Sequence, residues 1–392
     1  MKLTFILPTR NRAELAMAAI RSLLAQDGEG CNVEIVVSDN SSAEDEVRRL
    51  AEFCRDANDP RVAYVRPPHD LRMGPHWNRA AEQALARAGV THLGLLYDRK
   101  VWRTGGLRAL ASACERDPGM TVTYGCDYAF PTPGGRVAVE YPGSGKLYEI
   151  RTRRVVELTA QATLGKLEQA FPVFSNCMTP RATLEKMRAR FGSICDSAMP
   201  DSAFAYRFCA VEERYRHLDR ALVIAYAYEK SNGLAYFRND RSGAYGDWVR
   251  LWGDQSWLDA APIPGLPLGQ NVMFHEYVLV QRAEGEERFP AIDFQRYLQE
   301  LATGLEWIED LEWRAKMRAE LERHGWREKR RPLVRRIASR LLAPFRRRPA
   351  PVGPGRTFAT DEEAVRHLAE PRPFRETNPN LAALEPVEVA PR

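Results

Sequence analysis

The stretch Thr91 to Leu107, THLGLLYDRKVWRTGGL, sets a carboxylate and two cations in a row, Asp98, Arg99 and Lys100, just after the apolar run Leu93 to Leu96. A short apolar run of this kind reads as a buried strand, so the charges fall at a strand end. Two other acids hold comparable places: Asp39 ends VEIVVSD, and Asp201 follows Pro200 at the head of PDSAFAYRFCA. The first apolar run, LTFILPT, leads into PTRNR, which supplies Pro8, Thr9, Arg10 and Asn11. If the chain stays extended after Tyr97, side chains alternate, so Asp98 and Lys100 share a face and Arg99 points away. A lysine there repels a metal cation and can itself neutralise an anionic ligand. The local alternatives are plain. Asp98 would cap a turn beside solvated bases, Asp39 would make a side-chain turn with Ser41 or Ser42 capping the next helix, and Asp201 would cap its own helix.

These residues need elements to hold them. Strands are expected at 3–9, 33–39, 62–67 and 93–96, with helices at 12–26, from about 40 to 54, and at 74–89. Strand and helix alternating at this spacing predict a mostly parallel α/β sheet flanked by helices, with its ligand at the carboxyl ends of the strands. The regular alternation stops beyond residue 120. MTVTYGCDYAF and GRVAVEYPG read as strands or a hairpin, FPVFSNCMTP leads into the helix RATLEKMRARFG, and YRHLDRALVIAYAYEKSNG reads as a late strand with its loop. Residues 245–326 have a mainly helical pattern, and the Pro-rich 349–392 is expected to be mobile apart from a short helix at Asp361 to Leu368. The domain division is therefore 1–240, 241–348 and 349–392.

Composition narrows the class. Apolar residues make up 44% and charged residues 28% of the 392, ordinary for a globular protein. No apolar run is long enough for a membrane span, and the N-terminus turns polar too soon for a signal peptide. Seven cysteines lie scattered with no CxxC pair, which suits reduced thiols and a cytoplasmic location over a disulfide frame or a zinc site. His76, His217 and His275 have no partner at metal-ligand spacing, and His217 reads as a strand-edge side chain. The overall charge of +5 hides a concentration: residues 327–348 hold ten Lys/Arg against one Glu, a net of +9 that leaves the rest at −4. Within it Leu333, Ile337, Leu341 and Phe345 recur every four residues, which describes a basic amphipathic helix lying on an anionic membrane surface or packed on its own protein. Nucleic acid is not expected as a partner, because no aromatic stacking platform or known motif accompanies the charge. No GxGxxG follows the first strand, which argues against a dinucleotide enzyme.

Taken together, LTFILPTRNRAELAMAAIRSLLAQ, VEIVVSDNSS, LRMGPHWNRA, THLGLLYDRKVWRTGGL and PDSAFAYRF resemble, in order and spacing, the inverting family-two glycosyltransferases of the GT-A fold. The resemblance covers roughly residues 1–235 and implies a nucleotide-sugar donor (UDP-, GDP- or dTDP-linked) and a glycan or lipid-linked acceptor. It also implies a role in surface polysaccharide synthesis on the inner face of the membrane. It places Pro8, Thr9, Arg10, Asn11, Asp39, Arg72 and Asp98 around the nucleotide, Asp98 orienting Lys100 or the donor ribose, and makes Asp201 the catalytic base, with Asp196 as the alternative. Arg12 is assigned to the first helix. The family's Asp-x-Asp becomes Asp98 and Lys100 here. Two readings follow: Lys100 takes over the charge of the metal, or one Mg²⁺ or Mn²⁺ stays on Asp98 alone. The lost carboxylate also admits a rival, a catalytically inactive GT-A-like protein that binds nucleotide or glycan or serves as a scaffold.

Overall fold

The computed structural model describes residues 1–26, 31–132, 134–163, 165, 168–233, 235, 258–327 and 356–390. The first part alternates β1 (Lys2–Thr9), α1 (Ala13–Leu24), β2 (Asn32–Asp39), α2 (Glu44–Ala57), β3 (Val62–Val65), α3 (Met73–Leu85) and β4 (His92–Leu95). There follow β5 (Lys100–Trp102), α4 (Gly106–Arg116), the hairpin β6 (Val122–Thr132) and β7 (Gly135–Val139), β8 (Leu147–Arg151) and α5 (Thr152–Ala160). Then come β9 (Cys177–Pro180), α6 (Arg181–Phe191), α7 (Pro200–Val211) and β10 (Arg214–Ala225). The described remainder holds α8 (Gly269–Glu284), α9 (Phe294–Gly304), α10 (Leu311–Arg323), β11 (Thr357–Phe358), α11 (Asp361–Ala369) and β12 (Val387–Glu388).

One sheet runs β12-β8-β10-β6-β9-β4-β1-β2-β3. β1, β2, β3 and β4 are parallel, and β9 lies antiparallel between β4 and β6. The inner strands are buried on both faces, which is why they read as continuous apolar runs. Leu3, Phe5 and Leu7 point to one face, where they meet Ala16, Ile20 and Leu23 of α1 and Leu110 of α4. Ile6, Val36 and Leu95 point to the other, against Trp77 and Ala80 of α3 and Phe204 and Phe208 of α7. Thr9 stands level with Asp39, so the polar segments that follow β1 and β2 begin side by side.

The helical region is attached through α8. Tyr277 packs edge-on against Tyr206 of α7, with ring centroids 5.4 Å apart. Beyond it Phe274, Tyr297, Leu301, Met317, Leu321 and Trp326 form a core of their own. Of the basic segment 327–348 only Arg327 is described, so its expected membrane helix lies outside the described residues. Among the described residues no helix is long and apolar enough to cross a membrane. None of the seven cysteines is paired.

The C-terminal segment departs from expectation. Residues 356–390, expected to be mobile, run back across the sheet: β11 pairs with β7 and β12 with β8. The expected short helix is α11, whose Ala364 and Leu368 are fully buried against Ala129, Ala138 and Ile224. Polar latches flank it. Asp127, fully buried, takes Arg103 at 2.6 Å and Arg372. Asn378 donates to Asp219 at 2.8 Å, and Asp219 also accepts from Tyr141 and Ser144. Burial alone would raise the Asp219 carboxyl, but hydrogen bonds from His217, Asn378, Ser144 and Tyr141 outweigh it and hold the group below its usual range. His217 is accordingly no strand-edge side chain: it is fully buried in the middle of the sheet between Thr123 and Tyr141. Arg372 and Asn378 thus add partners to two buried carboxylates and, with Ala364 and Leu368, give a Pro-rich segment a fixed course.

Leu368→Ala tests this ordering. Removing a fully buried leucine side chain is expected to cost about 2–5 kcal/mol, seen as a lower urea midpoint. A loose segment would leave the midpoint unchanged.

Candidate active site

The ends of β1 and β2 are tied to each other before any ligand is considered. Asn11 adopts the left-handed conformation with φ 52°, which asparagine tolerates better than most residues. Its Oδ1 accepts from the backbone N–H groups of Ser42 (2.9 Å) and Ala43 (3.1 Å), while its own N–H donates to Ser41 Oγ at 2.8 Å. Asn11 therefore ties the segment that leads into α2, whose N-cap position is Ala43, and the expected cap by Ser41 or Ser42 is not made. Asp39 is fully buried; Ser41 N–H donates to Oδ1 at 2.9 Å and the Tyr64 hydroxyl to Oδ2 at 2.8 Å. Asn40 holds the segment before α3 by a reciprocal pair with the Leu71 backbone. Arg10 donates to Asn40 O at 2.6 Å and to Asp70 at 2.8 Å. Pro8 and Thr9 end β1, and Arg72 lies exposed just before α3. Below them His76 bonds Ser38 at 2.9 Å, and burial pulls its pKa to about 4, so it stays neutral.

The charged run Asp98–Lys100 does not stay extended. The Lys100 N–H donates to Tyr97 O at 3.1 Å, closing a turn. Lys100 then enters β5, which pairs with the end of β10. The expected shared face of Asp98 and Lys100 is thereby broken. Asp98, 2% exposed, turns to β1, accepting from Thr9 Oγ1 at 3.1 Å and pairing with Arg12 at 3.5 Å. Lys100 goes the other way, and its Nζ donates to Ser175 O at 2.9 Å. Arg99 lies over the Tyr228 ring at 5.2 Å and reaches Ser231.

Lys100 arrives beside Asp201 instead. The Tyr97 hydroxyl donates to Asp201 Oδ2 at 2.6 Å, and Ser175 N–H donates to Oδ1 at 3.1 Å. Burial pushes the Asp201 carboxyl above its ordinary value, although Tyr97, Lys100 and Ser175 each favour its charged form. Burial likewise lowers Lys100, against the pull of nearby thiols and Asp201. Asp201 thus opens α7 with a carboxyl poised to take up a proton. Asp196, the alternative base, is exposed on the preceding loop.

That loop is held tightly. A Cβ on Gly74 would lie 2.0 Å from Ser197 O, so only glycine lets α3 approach. Asn78 Oδ1 accepts from Ile194 N–H at 2.8 Å, and Ser197 bonds Glu276 of α8. Burial pushes Glu276 up to about 7. His275 is buried beside it, apart from the strand ends.

The donor set does not suit a divalent ion. Asp98 is the one carboxylate of the former pair, its Oδ2 is already shared by Thr9 and Arg12, and the other position is a lysine turned away. Among the described residues no group of three or more His, Cys, Asp or Glu side chains could hold a metal. Two like unit charges 4 Å apart repel by about 4 kcal/mol at an effective dielectric of 20, and a divalent ion doubles this. An ion on Asp98 would share that carboxylate with Arg12.

Arg12, Tyr97 and Ser175 contact the candidate site residues, and none was predicted from sequence. Arg12 lay in the quoted PTRNR and Tyr97 immediately before Asp98, so adjacency was the available signal.

Residues 4–91 match the family model described as Glycosyl transferase family 2. Among solved structures, S. aureus TarS 1–349 is similar over 84% of this chain and 93% of its own, at 12% identity and a TM-score of 0.44. The same fragment in complex with UDP-GlcNAc is similar over 79% and 82%, at 14% identity and a TM-score of 0.45. In complex with UDP it is similar over 84% and 93%, at 14% identity and a TM-score of 0.46. No curated protein matches the sequence. With the family match over its first strands and the strand order β3-β2-β1-β4 beside an antiparallel β9, the chain has a GT-A-like fold, a mostly parallel sheet flanked by helices.

Asn11→Ala removes the bonds to Ser42 and Ala43 and leaves alanine in a left-handed conformation. The loss is expected to be about 1–2 kcal/mol, measured by urea unfolding. Stability equal to wild type would show that Asn11 does not hold the two loops.

Proposed function

We propose, for a chain whose first strands carry the family-two pattern, an inverting glycosyltransferase that moves a sugar from a nucleotide donor to a glycan or lipid-linked acceptor. The observation that carries this reading is Asp201, a carboxyl with a raised pKa, hydrogen-bonded by Tyr97 from the turn at the end of β4. Inversion needs a base on the acceptor side. The acceptor hydroxyl gives its proton to Asp201 as its oxygen forms a bond to the anomeric carbon. On the opposite face the bond from that carbon to the diphosphate oxygen breaks, and the nucleoside diphosphate leaves with the electron pair. Asp201 then returns its proton to water.

Tyr97 keeps the carboxylate aimed and favours its ionised form. Lys100 contributes positive potential beside the base. Asp39, Pro8, Thr9, Arg10 and Arg72 form the nucleotide end of the cleft. Asp39, fully buried, backs this end through Ser41 and the Tyr64 hydroxyl. Asn11 acts on this pocket from behind, through its bonds to Ser42 and Ala43. A cytoplasmic, membrane-facing location and surface polysaccharide as product belong to the same reading, supported by the +9 charge of residues 327–348.

Asp201→Asn is expected to lower kcat by about 10²–10⁴-fold while nucleotide affinity stays as in wild type. Equal loss of both would make Asp201 structural, and nucleotide binding without transfer in the wild-type chain would support a binding protein. Tyr97→Phe supplies a second readout. The base works ionised, so kcat/KM falls as pH drops through the Asp201 pKa. Losing the Tyr97 hydrogen bond raises that pKa, so the acid limb should move to higher pH. An unmoved limb would separate Asp201 from the proton transfer.

A further inference from the structure

The pair Arg12–Asp98 occupies the place where a diphosphate would lie if the nucleotide sits at the ends of β1 and β2. Arg12 stands just before α1. One nitrogen of its guanidinium faces Asp98, and the other donates to Asn232 Oδ1 at 2.7 Å. Both ends are thus fixed, and further N–H groups stay available, since a guanidinium carries five. Exposure decides which member of the pair a ligand meets: the Arg12 side chain is 17% exposed and that of Asp98 only 3%. The cleft therefore presents a guanidinium to solvent and keeps its carboxylate behind it. Lys100, the residue at the former metal position, is spent on Ser175. Arg10 adds a second cation at the end of β1.

We infer that this chain neutralises the donor diphosphate with the guanidinium of Arg12, held by Asp98 and Asn232, and binds its nucleotide without a divalent ion. The inference rests on the transferase reading above and adds to it the source of positive charge. A guanidinium matches phosphate oxygens with two parallel hydrogen bonds, a geometry a lysine cannot reproduce. Asp98 acts here as a positioning residue: it orients Arg12 and does not bind a metal.

The test titrates UDP, GDP and dTDP, with the matching free nucleosides, into the full chain in EDTA and again in Mn²⁺. For the diphosphate that binds, the two Kd values are expected to agree within about twofold. Arg12→Gln is expected to weaken it by roughly 10- to 100-fold while changing the nucleoside by less than about threefold, and Arg12→Lys to recover part of the loss. Tightening by Mn²⁺ of about tenfold or more in the wild type overturns the inference and leaves the transferase reading intact. Wild-type affinity in Arg12→Gln does the same. Binding of no diphosphate in either buffer overturns both. The EDTA and Mn²⁺ comparison uses wild-type protein, so it decides the matter even if a variant fails to fold.

Discussion

A single backbone hydrogen bond, from the Lys100 N–H to the Tyr97 carbonyl, sorts the charges of this site. Because it reverses the chain at the end of β4, three successive functional side chains leave in different directions. Tyr97 goes to Asp201, Asp98 to Thr9 and Arg12, and Lys100 to Ser175. Asp98 and Asp201 are thereby kept on separate partners. Each has its own hydrogen-bond donors and its own cation, and the two are served from opposite sides of the turn. The same reversal lets β5 pair with β10.

The scaffold keeps this sorting rigid. Trp77 of α3 packs edge-on against the Tyr97 ring at 5.4 Å, so the ring that carries the hydroxyl to Asp201 is fixed by a core residue. Gly74 and Asn78, on the same helix, hold the loop that leads to α7. Glu276 reaches that loop from α8, and Arg207 reaches it from α7 itself through Ser193. The helical region thus bears on the loop that leads to Asp201. On the far side of the sheet, residues 356–390 cover Ile224 and satisfy Asp127 and Asp219, which stiffens β6 and β10.

What the sequence made legible follows from locality. Parallel strands buried on both faces announce themselves as apolar runs, and helices with an apolar stripe announce theirs, so β1 to β4 and α1 to α3 fall where the periodicity places them. β5 escaped because three residues, KVW, carry no period, and the strand exists only through a partner more than a hundred residues away. The turn before it escaped for the same reason, and with it the separate fates of Asp98 and Lys100. Arg12 looked like a solvated residue opening a helix; only the fold brings Asp98 and Asn232 to it. The C-terminal segment looked mobile because its prolines and charges offer no stripe, whereas its order comes from Ala364 and Leu368 and from two buried acids elsewhere that take its arginine and asparagine as partners. Asp201 was readable as a candidate, its partners Tyr97 and Ser175 were not.

The measurement that bears most directly on the account is anomalous diffraction at the manganese edge, from crystals grown with Mn²⁺ and holding a bound nucleoside diphosphate. The predicted result is phosphate oxygens against the Arg12 guanidinium, with Asp98 still bonded to Thr9 and Arg12 and no manganese between Asp98 and the phosphates. A manganese peak coordinated by Asp98, with Arg12 swung aside, would contradict it.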